Sequence, residues 1–187
     1  MRQEFKNSHR DSLISLIRVF KQVFWVEYNT ILKGGGDEPL YTPRGSQCPY
    51  NTIYFTRDYI SSALHESAHW CIAGDARREL CDFGYWYEPD GRSDCQQVEF
   101  ERVEIKPQAL ERIFSYACGQ VFRISVDNLT SETEASLTFT DAVHQQTLDY
   151  CLSGLPGRAH SFAVALAKEF GQGNPLDTLH YCRSDLN

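Results

Sequence analysis

The chain has 187 residues, an apolar share of 42% and a formal net charge of -7. That is enough apolar material for one well-buried core, so a single domain over residues 1–187 is expected, and the acidic balance argues against DNA or RNA as a direct ligand. The N-terminus, Met1-Arg2-Gln3-Glu4-Phe5-Lys6, lacks an uninterrupted apolar stretch, and no later segment approaches the roughly 18 apolar residues that span a bilayer; the expectation is a soluble, cytoplasmic protein with no membrane partner.

In chain order, Leu13, Leu16, Ile17, Phe20, Val23 and Phe24 recur at helical spacing and predict an amphipathic helix from about Asp11 to about Glu27. Gly34-Gly35-Gly36, leading into Asp37-Glu38-Pro39, reads as a loop. Between Pro49 and Asp58, the run Thr52-Ile53-Tyr54-Phe55-Thr56 combines β-branched and aromatic residues and predicts a short strand. Asp58 offers an N-cap to a helix from Tyr59 to Ala73, with Gly74 as its stop. The aromatic segment Phe83 to Gly91 reads as a loop or short hairpin, and Val98 to Ile105 is ambiguous between strand and helix. Pro107 suits the first turn of a helix running through Ala117, which Gly119 would end. Val121 to Val126 alternates like a strand, and further helices are expected from Asp141 to Leu152 and from Ala159 to Phe170. The tail after Gly171 reads as poorly ordered. The fold class is therefore α+β, mainly helical with a small sheet.

Seven cysteines, Cys48, Cys71, Cys81, Cys95, Cys118, Cys151 and Cys182, occur without a C-x-x-C pair. This speaks against a structural zinc knot and predicts reduced, mostly buried thiols in a reducing compartment.

The segment with the most chemistry is His65-Glu66-Ser67-Ala68-His69, which matches H-E-x-x-H. Four residues advance a helix by about 400°, so the two imidazoles point the same way one turn apart and can reach one ion. Glu66 lies about 100° round the helix, close enough to approach a bound water or hold a ligand. Two histidines are not sufficient for a catalytic ion, which takes a third protein ligand and keeps positions open. The metzincin continuation fails, because Ile72 stands where a glycine is required and no third histidine follows Gly74 nearby. His144, His160 and His180 are distant and isolated. A carboxylate is the better candidate, and Glu99, Glu101 and Glu104 crowd one stretch; the pattern alone leaves all three open.

Several longer phrases go further. They are Gly36-Asp37-Glu38-Pro39 with Tyr41 and Pro43, Pro49-Tyr50-Asn51, and Ser62-Ala63-Leu64-His65-Glu66 running into His69-Trp70-Cys71-Ile72-Ala73-Gly74. Two more are Ala76-Arg77-Arg78-Glu79-Leu80 with Asp82-Phe83-Gly84-Tyr85-Trp86-Tyr87, and Val103-Glu104-Ile105-Lys106-Pro107-Gln108-Ala109-Leu110. Together they resemble the bacterial elongation factor P hydroxylases, densely from about Gly34 to Leu110 and more thinly towards Phe170. The resemblance implies a metal-binding H-E-x-x-H helix at the heart of the site and hydroxylation of the β-lysylated lysine of that translation factor. It also implies a metal triad of His65, His69 and Glu104.

Two histidines and a carboxylate with open positions suit a non-haem iron(II) monooxygenase with dioxygen as co-substrate. Glu66 would then serve at the site by fixing a ligand or a water. The same ligands would serve zinc in a metallopeptidase-like hydrolase, with Glu66 as general base, or close around a purely structural ion. A long cationic substrate calls for acidic and aromatic walls, for which Asp37, Glu38, Tyr41, Tyr85 and Trp86 are the candidates. No flavin, nicotinamide or 2-oxoglutarate signature names an electron source.

Overall fold

The computed structural model describes residues 2–46, 48–84, 93–125 and 135–186. Helix α1 (Arg2–Tyr28) buries Leu13, Leu16, Val19, Phe20 and Phe24 along one stripe, the spacing that predicted it. It ends at Asn29, whose positive φ of 46° suits a residue that tolerates the left-handed region.

A three-stranded sheet follows, in the order β1–β3–β2. Strand β1 (Thr30–Gly36) runs parallel to β3 (Asn51–Thr56), and β2 (Leu40–Thr42) pairs with the other edge of β3 in the antiparallel sense. The glycine run expected as a loop is instead the end of β1, where the pairing slips between Lys33 and Gly36. The reason is close approach: a Cβ on Gly34 would lie 2.8 Å from the Phe55 ring and 2.9 Å from the Arg57 carbonyl, so bare backbone is required there.

Helix α2 (Ile60–Ile72) carries the H-E-x-x-H residues. Asp58 does not cap it; the cap position is Tyr59, with no side-chain bond, and the Asp58 carboxylate packs over Gly34 instead. Gly74 is not a left-handed stop either, its φ being -66°. The last carbonyls of α2 are taken by guanidiniums, Arg158 reaching those of Trp70 and Ala73 and Arg78 that of Ala73, which is a cationic C-cap. Short α3 (Asp75–Arg78) leads into a tight turn over Cys81–Gly84.

The largest departure from the sequence reading is α4, which runs from Asp94 to Ala117 as one 24-residue helix with Pro107 inside it. The ambiguous Val98–Ile105 stretch is helical, and Pro107 does not open a helix. A capping box made by Ser93 and Gln96 starts α4 well upstream, and packing against α2 and two later helices outweighs the cost of an internal proline. Gly119 ends α4 as expected, at a φ of 65° with the Gln120 N–H donating to the Ser115 carbonyl, a Schellman-type stop.

Residues 121–125 form no strand. At their end the Ser125 backbone is satisfied by a side chain, since Gln108 Nε2 donates to the Ser125 carbonyl at 2.7 Å and the Ser125 N–H donates to Gln108 Oε1 at 3.2 Å. Helices α5 (Leu137–Ser153) and α6 (Gly157–Glu169) match the two expected.

The tail is not loose. Tyr181 is buried and donates to the Pro175 carbonyl at 2.6 Å, Arg112 donates to the Cys182 carbonyl at 2.6 Å, and Tyr116 meets His180 at 2.9 Å. Two of these anchors, Arg112 and Tyr116, lie on α4, far from the tail in sequence.

The centre of the core is aromatic, with Phe20, Phe24, Trp70, Phe114 and Phe162 meeting mostly edge-to-face. All seven cysteines are free; Cys71 and Cys118 are buried as expected, whereas Cys81, Cys95 and Cys182 are exposed. No helix among the described residues is long and apolar enough to cross a membrane.

Candidate metal centre

Burial of Ala63, Leu64, Ala68, Trp70 and Cys71 in the core fixes the rotation of α2 about its axis. With those positions inward, His65 and His69 share the flank that faces α4. On α4 a stripe of polar residues, Glu104, Gln108, Glu111, Arg112 and Ser115, is buried. Their offsets of four, seven, eight and eleven place them on one helical face.

The two faces meet at His65, His69 and Glu104, each offering a ligand atom within 4.8 Å of the others. The histidine Nε2 atoms lie 3.1 Å apart, His69 Nε2 is 3.1 Å from Glu104 Oε1, and His65 Nε2 is 3.6 Å from Glu104 Oε2. Ligands at about 2.1 Å from one ion stand about 3.0 to 3.4 Å apart between right-angled and tetrahedral geometries; the His65–His69 and His69–Glu104 separations fall in that range and the His65–Glu104 one, taken to the other carboxylate oxygen, lies just above it, so the donors suit a transition metal in type and closely approach its spacing. Glu99 and Glu101, equal candidates on pattern, turn elsewhere: Glu99 pairs with Arg102 on the surface and Glu101 accepts from Ser136.

The electrostatics agree with a site organised around positive charge. Burial pulls the His65 imidazole down, but the carboxylates of Glu104 and Glu111 outweigh it and hold the group up to about 10. Burial pushes Glu104 up, and the two histidines overcome this to hold its carboxyl down to about 2. Burial raises Glu66 and Glu111 above the usual carboxylate range. Without a cation, protons must supply the positive charge that these acids require.

The comparisons with known proteins bear on the same residues. A family model described as elongation factor P hydroxylase matches residues 19–181. The chain is also 52% identical, over 154 residues, to the elongation factor P lysine hydroxylase of Haemophilus influenzae, an alignment that covers 82% of this chain and 86% of that protein. The chain belongs to the elongation factor P hydroxylase family.

Within this hydroxylase fold the other residues anticipated at the site are scattered. Glu66 is half-buried beside the triad and feels the charges of His65, His69, Glu104 and Asp82. Asp37 and Glu38 are exposed in the β1–β2 turn. Tyr41 is inside the core, stacked on Phe83 at 4.4 Å, its hydroxyl committed to the Arg78 carbonyl at 2.7 Å. Tyr85 and Trp86 lie outside the described residues.

Three residues at the site escaped sequence reasoning. Glu111 meets His65 Nδ1 at 2.9 Å, Gln108 Nε2 stands 3.5 Å from Glu104, and Asp82 reaches the surroundings of Glu66 from a turn where it and Phe83 hold positive φ values of 47° and 58°. The first two share the Glu104 face of a continuous α4. That signal becomes visible once the helix is read through Pro107.

Proposed function

We propose that the chain hydroxylates the β-lysylated lysine of elongation factor P, working as one domain with iron(II) held by His65, His69 and Glu104. The observation that carries the metal assignment is the convergence of two imidazole nitrogens and one carboxylate between α2 and α4, at spacings one ion can bridge. Family membership supports the reaction and its protein substrate. Bound there, iron(II) would supply the redox chemistry of an oxygenase, in which dioxygen gives one oxygen atom to a substrate C–H bond and the other leaves as water with two electrons from an external reductant and two protons from solvent.

The chain's own residues prepare that chemistry. Glu104 brings a carboxylate into a buried site where, among the described residues, only the two imidazoles face it as ion-pair partners, so its charge is available to an ion once they are deprotonated. Glu66, raised by burial, is suited to hold a proton or orient a water beside the triad. The negative surroundings formed by Glu66, Glu104, Glu111 and Asp82 favour a cationic side chain, as a β-lysylated lysine is. Asp37 and Glu38 would act earlier, attracting that cation from the exposed turn. A translation factor as substrate places the reaction in the cytoplasm.

The test is the intact mass of β-lysylated elongation factor P after incubation with anaerobically iron-loaded protein and a reductant, with and without dioxygen. A gain of one oxygen only in air is expected. No gain in air, or an equal gain anaerobically, overturns the assignment.

A further inference from the structure

Glu111 is buried on α4, and its ion-pair partner among the described residues is His65. Its carboxylate meets the Nδ1 of His65 at 2.9 Å. The other nitrogen of that ring, Nε2, is the one that faces His69 and Glu104. Packing does not call for an acid at this position, since an apolar side chain would fill it without the desolvation cost of a carboxylate. Nor is Glu111 positioned as a ligand: it binds the far side of the imidazole and falls outside the group whose donor atoms converge.

We infer that Glu111 is a positioning residue for the metal centre, accepting the Nδ1–H of His65 so that the ring presents the bare lone pair of Nε2 to the ion. Neutral imidazole has two tautomers, and only the one protonated at Nδ1 can ligate through Nε2. An anionic acceptor selects that tautomer, stops the ring from turning about Cβ–Cγ, and makes Nε2 a better donor. The placement follows from α4 geometry. Glu104 and Glu111 are seven residues apart, two turns on one face, so the helix supplies a direct ligand at one level and a support for a second ligand at the other. Gln108, between them, stands 3.5 Å from Glu104. A single rigid helix therefore sets both sides of the triad.

The inference rests on the proposed metal centre, and the test separates the two. Wild type, His65→Ala, Glu111→Ala and Glu111→Gln are titrated with Co2+ in the full chain, reading affinity by chelator competition and ligand geometry by the visible d–d bands. Far-ultraviolet circular dichroism of each metal-free protein reports folding. Wild type is expected to bind one ion and His65→Ala to lose it. Glu111→Ala should then bind about 10- to 100-fold more weakly with altered d–d bands, while the helix signal stays at the wild-type level. Glu111→Gln, whose amide oxygen can still accept the Nδ1–H, should fall between the two and recover the wild-type bands.

Affinity and bands unchanged in both variants overturn the positioning role while leaving the metal centre intact. A loss that only tracks lost helix signal in Glu111→Ala, with Glu111→Gln binding like wild type through wild-type bands at full affinity, also overturns it. Absence of binding by wild type overturns both.

Discussion

Two clusters of partly or fully buried charge pack against helix α2, and they are built on opposite plans. At its C-terminal end, Arg158 lies over the rings of Trp70 and Tyr28 at 5.1 and 5.6 Å, and Arg78 over the same rings at 5.7 and 5.5 Å. These guanidiniums are answered by helix-end carbonyls, aromatic faces and, for Arg78, the carboxylate of Asp75. On the flank towards α4, three buried or half-buried acids, Glu66, Glu104 and Glu111, crowd two imidazoles. In the first arrangement the fold itself answers the charge, although Arg158 Nε and Trp70 Nε1 are buried without a hydrogen-bond partner among the described residues, so it reads as structure. The second is rich in acids, and the proposed metal ion would complete it. Buried charge points to function where the protein leaves it uncompensated.

The comparison breaks most sharply at the acidic flank. Replacing Glu104 with Ala should lower hydroxylation by on the order of 10^3-fold, read as product mass per unit time. Glu99→Ala, on the exposed part of the same helix, should leave the rate at the wild-type level. Equal effects of the two would dissolve the distinction between Glu104 and its neighbours.

At the other end the expected effect is on stability. Arg158→Met keeps the apolar stem but removes the donors to the Trp70 and Ala73 carbonyls, and should cost about 1 to 3 kcal/mol in chemical denaturation. The rate per folded molecule should hold. A large fall in that rate would mean that the two ends of α2 are coupled in function.

A smaller effect concerns pH. In metal-stripped protein, the raised His65 contributes stability that is fully present below its ordinary value of 6.5 and is lost as pH rises through about 10. The lowered Glu104 contributes stability that is present above its ordinary 4.5 and is lost as pH falls through about 2. Both contributions are full between these ordinary values and fall away on either side, and the raised Glu66 and Glu111 add a loss as pH climbs above 4.5, so melting temperature should peak in the mildly acidic range and decline on both sides. Adding metal should flatten the alkaline decline, because the ion replaces the proton between His65 and the acids. Parallel alkaline curves with and without metal would sever the ion from these groups.

Much of this was legible because it is local. The i, i+4 spacing of His65 and His69 puts two imidazoles on one flank of any helix, and the stripe from Leu13 to Phe24 selects the buried face of α1. Gly119 marks the end of α4 for an equally local reason. The capping box at Ser93 and Gln96 was legible too, and reading it would have carried α4 through Pro107 and exposed the Glu104, Gln108 and Glu111 face.

Other features depended on partners distant in the chain. Gly34 is strand where Phe55 and Arg57 approach its backbone, Ser125 takes its backbone partners from the Gln108 side chain and not from a neighbouring strand, and the tail is held because Arg112 and Tyr116 reach it from α4. The sequence by itself determined which residues can share a helix face, since that follows from 3.6 residues per turn. Spacing left Glu99, Glu101 and Glu104 open and the family resemblance pointed to Glu104; only the tertiary structure brings that carboxylate to the histidines and puts Glu111 behind one of them, because these contacts depend on the rotation and depth at which α4 packs on α2.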